Sequence, residues 1–190
     1  MAGRVGQFSP MKIMRGVGFM LGLLAGMTAA EKPKVHFLGQ VFTLAWVDPK
    51  PSFVMNEYVL PGEKIEGWTQ LLTIAQAPGV PTPAVMIEAV IKSSTQRGLV
   101  VSKPQVMKQP QAKDDNNLVL FMVMKDPGSG LLEFSLQRYV QEPGQPGVKS
   151  YQYARHYPAT SPDLPKPEQL NTWMKALWAL TAPVHPALPK

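Results

Sequence analysis

The sequence predicts an α+β fold in which an antiparallel sheet of about six to seven strands carries helices on both faces. Strand-like segments fall into an early and a late group, and a helical pattern at residues 82–98 separates them. Residues 118–124 are apolar at every position, which is typical of a strand covered on both sides. A second amphipathic helix at residues 168–182 follows the last strand, so we expect a three-layer arrangement.

The composition indicates one domain that is rich in turns. The chain has 190 residues, of which 45% are hydrophobic, and this suits a single domain with a core. Its 20 prolines and 15 glycines predict short elements with frequent turns. Because the chain has no cysteine, disulfides, thiol catalysis, zinc–thiolate sites and a lipidated N-terminal cysteine are excluded.

The N-terminal segment has the three parts of a secretory signal peptide. Lys12 and Arg15 form a basic region, residues 16–26 form a short apolar region, and the small residues 28–30 permit cleavage before Glu31. Between Arg15 and Glu31 there are 15 uncharged residues, whereas a membrane-spanning helix needs about 20. The segment therefore favours export over a permanent anchor.

We predict that residues 1–30 are a signal peptide, with Met11 as an alternative start. Residues 31–190 then form a single α+β domain with a short proline-rich C-terminal tail. The mature protein is expected in the periplasm or secreted, without stable membrane insertion after cleavage. An uncleaved membrane anchor is the alternative that the sequence leaves open.

The charge distribution argues against a nucleic-acid partner. Of the 19 basic residues, Arg4, Lys12 and Arg15 lie in residues 1–30, which leaves 16 against 13 acidic residues. The remaining lysines are scattered, whereas nucleic-acid binding needs a clustered basic face. The partner is therefore expected to be an unknown protein or small molecule.

Three strands are expected before the first helix. Residues 35–48 form the first, which ends at Asp-Pro-Lys-Pro, and residues 52–60 form the second. A Pro-Gly turn and a charged loop lead to the third strand at residues 68–74, whose β-branched residues favour a strand. The first helix then begins after the N-cap Thr82 and ends near Gly98.

Four strands are expected after that helix. They occupy residues 99–107, 118–124, a segment starting at Leu132, and 148–157. Short turns join the strands after this helix, so they are expected to pair as an antiparallel meander.

This order of elements, ending in an amphipathic helix, resembles the PsbP-like fold, which also includes DcrB-like bacterial periplasmic proteins. The resemblance covers residues 40–182 and concerns topology, without a catalytic signature. More locally, NEYVLPGE followed by GWTQLLTI resembles a segment of small, uncharacterised exported proteobacterial proteins. Members of the broader fold mostly act as accessory or binding proteins, so the resemblance implies a non-enzymatic role.

The candidate binding residues lie on one face of the last predicted strand. Tyr151, Tyr153, Arg155 and Tyr157 share this face, and an exposed aromatic face can stack on sugars, peptides or a partner protein. The alternative is that the C-terminal helix, with Trp173 and Trp178, packs over these rings.

Catalytic, metal and cofactor sites have little support in the sequence. His36, His156 and His185 lack the spacing of a helical metal pair, and His36 and His185 lie near chain ends, where order is least expected. His156 would act as a general base only with an acidic partner brought in by the fold. No catalytic residue, metal or cofactor is therefore assigned.

The glutamates of the early charged segment are Glu57, Glu63 and Glu66. They could suggest paired carboxylates or a calcium site, but a calcium loop requires oxygen ligands at alternate positions around a tight glycine turn. The segment departs from this pattern, so we interpret it as a solvated turn between two strands.

Two functional hypotheses follow, and they differ in what they require. An exported, non-enzymatic accessory or binding protein requires an open aromatic surface or a groove beside the sheet, without a convergent polar cluster. A small exported hydrolase requires an Asp or Glu within hydrogen-bond distance of His156 in a pocket. A subunit of a cell-envelope assembly is a third hypothesis.

Cleavage of the signal peptide gives the first prediction. The exported chain is expected to start at Glu31, because the small residues at 28–30 suit a signal peptidase. Intact-mass analysis of the periplasmic fraction measures this start directly, and a full-length species bound to the membrane would contradict it.

Overall fold

The computed structural model describes residues 31–109, 114–126 and 128–186. The predicted signal peptide lies outside these residues. The elements are, in order, β1 (Lys34–Phe37), β2 (Gln40–Lys50), β3 (Phe53–Val59), β4 (Gln70–Ala77), α1 (Pro83–Gln96), β5 (Gln105–Lys108), β6 (Asn117–Lys125), β7 (Leu132–Val140), β8 (Val148–Tyr157) and α2 (Pro167–Ala179).

All of the strands belong to one sheet with the order β1-β2-β3-β4-β8-β7-β6-β5. Every neighbouring pair is antiparallel. The predicted meander of late strands is confirmed, and β8 returns to pair with β4, which joins the two halves of the chain.

The first predicted strand is in fact two strands. Phe37 pairs with Gln40, so β1 and β2 are joined by a two-residue turn at Leu38 and Gly39. Both turn residues have positive φ, 51° and 74°, as the type I′ hairpin turn requires. The sequence reading missed this turn because leucine seldom occupies such a backbone conformation.

The predicted fold class is wrong. The described residues are mostly β, with one large eight-stranded sheet and two short helices of 14 and 13 residues. It does not have the expected PsbP-like three-layer arrangement of six to seven strands under helical layers. Helices of this length span about 20 Å, whereas eight strands span about 34 Å, so each helix covers only part of the sheet.

The two surfaces of the sheet carry separate cores, because successive residues of a strand point to opposite sides. The surface under α2 holds the larger core and is called the α2 face. It includes Leu72, Leu136 and Tyr153 from the strands and Leu177 from the helix.

The opposite surface, called the α1 face, holds a smaller core. It includes Leu120, Met122 and Tyr139, with Ile87 from the helix. The doubly apolar segment at residues 118–124 forms most of β6 and contributes to both cores, although it lies next to the edge strand β5 and not in the middle of the sheet.

A buried arginine fastens α2 to the sheet. Nη1 of Arg138, on β7, donates to the carbonyl oxygens of Leu177 at 3.3 Å and Leu180 at 2.9 Å. Its Nε donates to Oδ1 of Asn117 at 2.9 Å. The last carbonyls of a helix lack partners within the helix, so Arg138 supplies donors where the C-terminal end of α2 needs them.

The chain beyond α2 is also tied to the sheet. The fully buried Asn56 donates its Nδ2 to the carbonyl oxygen of His185 at 2.8 Å, and its Oδ1 accepts from the backbone N–H of His185 at 2.6 Å. The backbone at His185 is therefore ordered by two hydrogen bonds, against the expectation from its position near the chain end.

Removing the Arg138 donors tests how α2 is held. Arg138→Met is expected to lower the free energy of unfolding by about 3 kcal/mol, because it leaves buried carbonyl groups without donors. Chemical denaturation measures this loss. The matched control is Arg97→Met at the exposed end of α1, where we expect a change within about 0.5 kcal/mol; equal effects of the two variants would contradict the capping role.

Candidate functional site

The tyrosines predicted to bind a partner lie in the core of the α2 face. Tyr151, Tyr153 and Tyr157 are at most 5% exposed. The ring of Tyr153 contacts Trp173 of α2 at a centroid distance of 5.0 Å. Arg155 is half-buried, with its guanidinium 5.0 Å from the centre of the Tyr157 ring. These rings are buried and form no open aromatic surface. Binding of a partner by Tyr151, Tyr153, Arg155 and Tyr157 therefore stays a prediction from the sequence alone.

The α1 face carries a line of polar side chains that crosses four strands. Glu57 on β3 pairs with Thr73 on β4, Thr73 with Gln152 on β8, and Gln152 with Gln137 on β7. Directly opposed residues in an antiparallel sheet share a face, so these four side chains lie side by side. We call them the polar row.

A hydrogen-bond network holds one half of the polar row. The fully buried Ser135 accepts from Nε2 of Gln137 and from Nε2 of Gln152, each at 3.0 Å. The hydroxyl of Tyr139 donates to Oε1 of Gln137. The amide nitrogens of Gln137 and Gln152 both donate to Ser135, which fixes the orientation of each side-chain amide. Oε1 of Gln152 is then able to accept a hydrogen bond.

Two covers lie over the α1 face on either side of the polar row. On one side, α1 packs its Met86 and Val90 near Phe53. On the other side, the loop between β3 and β4 packs Ile65 and Trp68 on a small apolar cluster of the sheet. The polar row lies between the two covers.

A cavity of about 100 Å³ lies between α1 and the sheet at the polar row. Three members of the polar row line it, and Glu57 is the direct cross-strand neighbour of one of them, Thr73. The helix side of the lining is apolar, whereas the sheet side combines polar residues with Phe53, Met55 and Ala75. The lining residues are Phe53, Met55, Thr73, Ala75, Met86, Val90, Gln137, Tyr139, Ser150 and Gln152.

Glu57 has unused acceptor capacity. Within residues 31–109, 114–126 and 128–186, no donor hydrogen-bonds its carboxyl group. Burial, with a smaller contribution from the charge of Glu133, raises the pKa of Glu57 to about 7. Glu57 is half-buried, so burial disfavours its charged form without removing the side chain from water altogether.

His156 links the β3–β4 loop to the sheet. Its ring stacks on that of Trp68 at a centroid distance of 3.7 Å, and its Nδ1 lies 3.2 Å from the Trp68 carbonyl oxygen. Its Nε2 lies 3.7 Å from Oε2 of Glu133, its cross-strand partner on β7. The acid is thus within ion-pair distance but beyond hydrogen-bond distance.

The surroundings of His156 suit a structural role better than catalysis. A carbonyl oxygen only accepts hydrogen bonds, so Nδ1 carries a hydrogen in the contact with Trp68, and Nε2 faces Glu133. The nearby hydroxyl of Ser135 is already engaged by two glutamines. A nucleophile activated by His156 would need a hydroxyl within hydrogen-bond reach, and the described part of the chain provides none.

The three glutamates of the early segment do not meet at one site. Glu57 lies in β3, Glu66 is exposed, and Glu63 accepts from the backbone N–H of Thr69 at 3.1 Å, which closes the loop between β3 and β4. Among the described residues, no group of three His, Asp, Glu or Cys side chains could hold a metal ion.

A wider groove lies at the edge of the α1 face, between α1 and β5. Its volume is about 550 Å³, and Ile87, Ile91, Val106 and Leu118 form its apolar walls, with Glu88 and Lys92 also in the lining. Val106 is 51% exposed. This groove lies beside the sheet and is separate from the polar row.

Sequence reasoning missed the polar row, although one signal for it was available. The alternation in residues 132–141 puts Glu133, Ser135 and Gln137 on one side, and pairing across the turn at residues 143–147 puts Gln152 and His156 opposite them. Nothing local showed that Glu57 would join them, because its place depends on the pairing of β4 with β8.

The raised pKa of Glu57 predicts a pH-dependent stability. Between its ordinary value of 4.5 and about 7, folded Glu57 keeps a proton that the unfolded chain has released. Its contribution to stability is therefore complete below pH 4.5 and is lost as the pH rises through 7, by about 3 kcal/mol in all.

Glu57→Gln is expected to remove this pH-dependent loss and to be more stable than the wild type at pH 8, by about 3 kcal/mol. Urea denaturation from pH 4 to pH 8 measures it. Glu88→Gln, on the exposed side of α1, should leave the pH profile unchanged, and a wild-type profile in Glu57→Gln would show that the carboxyl of Glu57 is not responsible.

The described residues contain no helix that is long and apolar enough to cross a membrane. No curated protein and no solved structure is detectably similar to the chain. A family model matches residues 29–181, which is most of the chain, and the family has no assigned function. The chain therefore belongs to this uncharacterised protein family.

Proposed function

We propose that this protein is an exported, non-enzymatic binding protein that holds a small ligand against the polar row beneath α1. The observation that carries the proposal is the cavity of about 100 Å³ between α1 and the sheet, whose mostly apolar lining includes Thr73, Gln137 and Gln152 of the polar row. Ligand sites combine apolar walls with a few placed polar groups, and this cavity has both.

Polar groups in the lining support the proposal. The Thr73 hydroxyl and the amide of Gln152 both line the cavity, and Nε2 of Gln152 bonds the Ser135 hydroxyl. A few fixed polar groups of this kind set the orientation of a ligand in a mostly apolar site. The cavity corresponds to about three water molecules by volume.

Export is part of the proposal and depends on the N-terminal sequence. Residues 11–30 have the basic, apolar and small-residue regions of a signal peptide. We further propose that the family consists of small exported proteobacterial proteins, on the basis of the local resemblance at residues 56–74. The protein then acts in an accessory role, either in the periplasm or outside the cell.

A small hydrolase is the second candidate, favoured by the contact of 3.7 Å between His156 and Glu133. The stacking of His156 on Trp68 and the contact of Nδ1 with a carbonyl oxygen count against it, because they engage the ring in holding the loop. Substitution separates the two roles: His156→Phe would keep the stacking and ligand binding but would abolish any hydrolysis.

Filling the cavity tests the proposed function. Ala75 is 2% exposed and lies on the cavity floor, so Ala75→Leu should occupy the space that a ligand needs. We expect small fragments that bind the wild type, detected by ligand-observed NMR, to lose binding at least tenfold in this variant. Val106→Leu, in the groove by β5, is the matched control.

Thermal unfolding of Ala75→Leu should first show a cooperative transition, which establishes that the variant folds. If fragments bind the folded variant as tightly as the wild type, the cavity is not the binding site and the proposal fails.

A further inference from the structure

We infer that the edge of the sheet at β5 binds an extended, acidic segment of a partner protein, which adds to β5 as a further strand and places an apolar side chain in the groove beside α1. This groove shares no lining residue with the cavity proposed to hold a small ligand, so the inference concerns a second site. It follows from the backbone groups that the edge leaves open, from its exposed apolar side chains and from its charge.

The edge leaves backbone groups open to a partner. β5 is the last strand in the order of the sheet, so its outer side has no strand partner among the described residues. Just before β5, the N–H of Val101 and the carbonyl oxygen of Leu99 each bond β6, at 3.0 and 2.8 Å. Val100 lies between these two bonds, so its own N–H and C=O point away from β6. Such an edge is a template for another strand.

Exposed apolar side chains lie along the same edge. In the described part of the chain three large hydrophobic residues are exposed, and two of them, Val101 at 52% and Val106 at 51%, lie on this edge. The third is Val85, near the start of α1. At the opposite edge of the sheet, β1 buries its Val35 and Phe37 in the core of the α2 face. Of the two edges, the one at β5 therefore offers apolar surface to a partner.

The groove beside α1 can receive one side chain of the added strand. Val106 pairs with Leu120 and therefore points to the α1 face. A residue added opposite Val106 points to the same face, where Ile87 and Ile91 belong to the apolar wall of the groove. The volume of about 550 Å³ is that of a typical ligand site. In strand addition, main-chain hydrogen bonds hold the peptide, and pockets for alternate side chains select it.

The charge along the edge selects the chemistry of the partner. Residues 97–108 contain the cations Arg97, Lys103 and Lys108 and no acidic residue. Lys108 pairs with Asp115 at 3.1 Å. Arg97 and Lys103 form no ion pair with any described residue. The edge therefore keeps an excess of positive charge, and acidic residues on either side of an apolar one complement it.

A second copy of this chain fits the edge less well than an acidic strand. Two copies of the edge carry the same positive charge and repel each other, and Pro104 has no N–H to donate. Lysine and proline at an edge are features that keep identical edges apart. In the groove, Glu88 lies four residues before Lys92 on the same side of α1, so these two charges offset each other and do not change this choice.

Two capped peptides of seven residues test the charge of the partner. The probes are Ac-Asp-Thr-Val-Leu-Val-Thr-Asp-NH2 and the same peptide with lysine in place of both aspartates. Each is titrated into the mature chain while the backbone amide signals of Val100 and Val106 are followed by NMR. We expect the acidic peptide to bind about tenfold more tightly at low ionic strength, with a smaller difference in high salt. Equal binding, tighter binding of the lysine peptide, or no shift with either peptide overturns the inference.

Methylation of the peptide backbone tests strand addition. Alternate N–H groups of an added strand face β5. N-methylation at the odd positions of the acidic peptide and N-methylation at its even positions should therefore differ in effect. We expect one of the two to weaken binding about tenfold and the other to change it little. Equal effects would show that the peptide does not pair with the edge, and they overturn the inference.

Two valine variants locate the site. Val106→Asp removes apolar surface and adds a negative charge at the edge, so we expect the acidic peptide to bind about tenfold more weakly. Val85→Asp makes the same change at an exposed residue outside the groove lining and should leave binding unchanged. Thermal unfolding first establishes that both variants fold.

Equal effects of the two variants place the site elsewhere, and the inference fails while the proposed small-ligand function stands. Sedimentation of the wild type without peptide provides the last check. A dimer that Val106→Asp dissociates would assign the edge to a second copy of the chain and would overturn the acidic partner.

Discussion

The packing of the α2 face depends on the guanidinium group of Arg138. It lies buried between the sheet and the end of α2, where it satisfies two helix carbonyl groups and bonds Asn117 of β6. Burial lowers the pKa of Arg138 from its ordinary value, and the hydrogen bonds to the carbonyl groups offset part of that cost. Because these bonds position the C-terminal end of α2, they also position Leu177 and Trp173 over the tyrosine rings of β8. The chain that continues past α2 is then within reach of Asn56 on β3.

The two faces of the sheet are covered by different kinds of structure. The α2 face is closed by a helix, a tail and large aromatic side chains, and among the described residues the hydroxyls of Tyr58, Tyr151 and Tyr157 are buried there without a hydrogen-bond partner. The α1 face is covered by a shorter apolar patch under α1 and by a loop that His156 fastens through Trp68. Between these covers the sheet exposes polar side chains to a cavity. The difference places the candidate site on the α1 face, away from the tyrosines that the sequence favoured.

The local parts of the fold were predictable because they depend on neighbouring residues. Thr82 accepts from the backbone N–H of Val85 at the start of α1, as an N-cap residue should. The turns at Gly130 and Gly144 have positive φ, which glycine adopts without strain. Alternation also located β3, β7 and β8 within a few residues of their observed bounds. The predicted fold class was wrong because alternation does not show how many strands join one sheet, nor how much of it two short helices can cover.

The candidate site was less predictable than the elements that carry it. Tyr151, Tyr153 and Tyr157 share a face, as their spacing indicates, but spacing does not say whether a helix lies over that face. The pairing of Glu133 with His156 follows from the register of one hairpin, which is local information. The place of Glu57 beside Thr73 and Gln152 is different, since it requires β8 to return across the sheet and pair with β4.

The sequence by itself determined the short strands, the caps of α1, the turns that join β6, β7 and β8, and the signal-like pattern before Glu31. These features depend on backbone preferences and on alternation, which act over a few residues. Only the tertiary structure decided which side of the sheet is open, which contacts His156 forms, and that Glu57 lies beside Thr73 on the α1 face. Those properties depend on contacts between residues far apart in the chain, and no local pattern encodes the packing that brings such residues together.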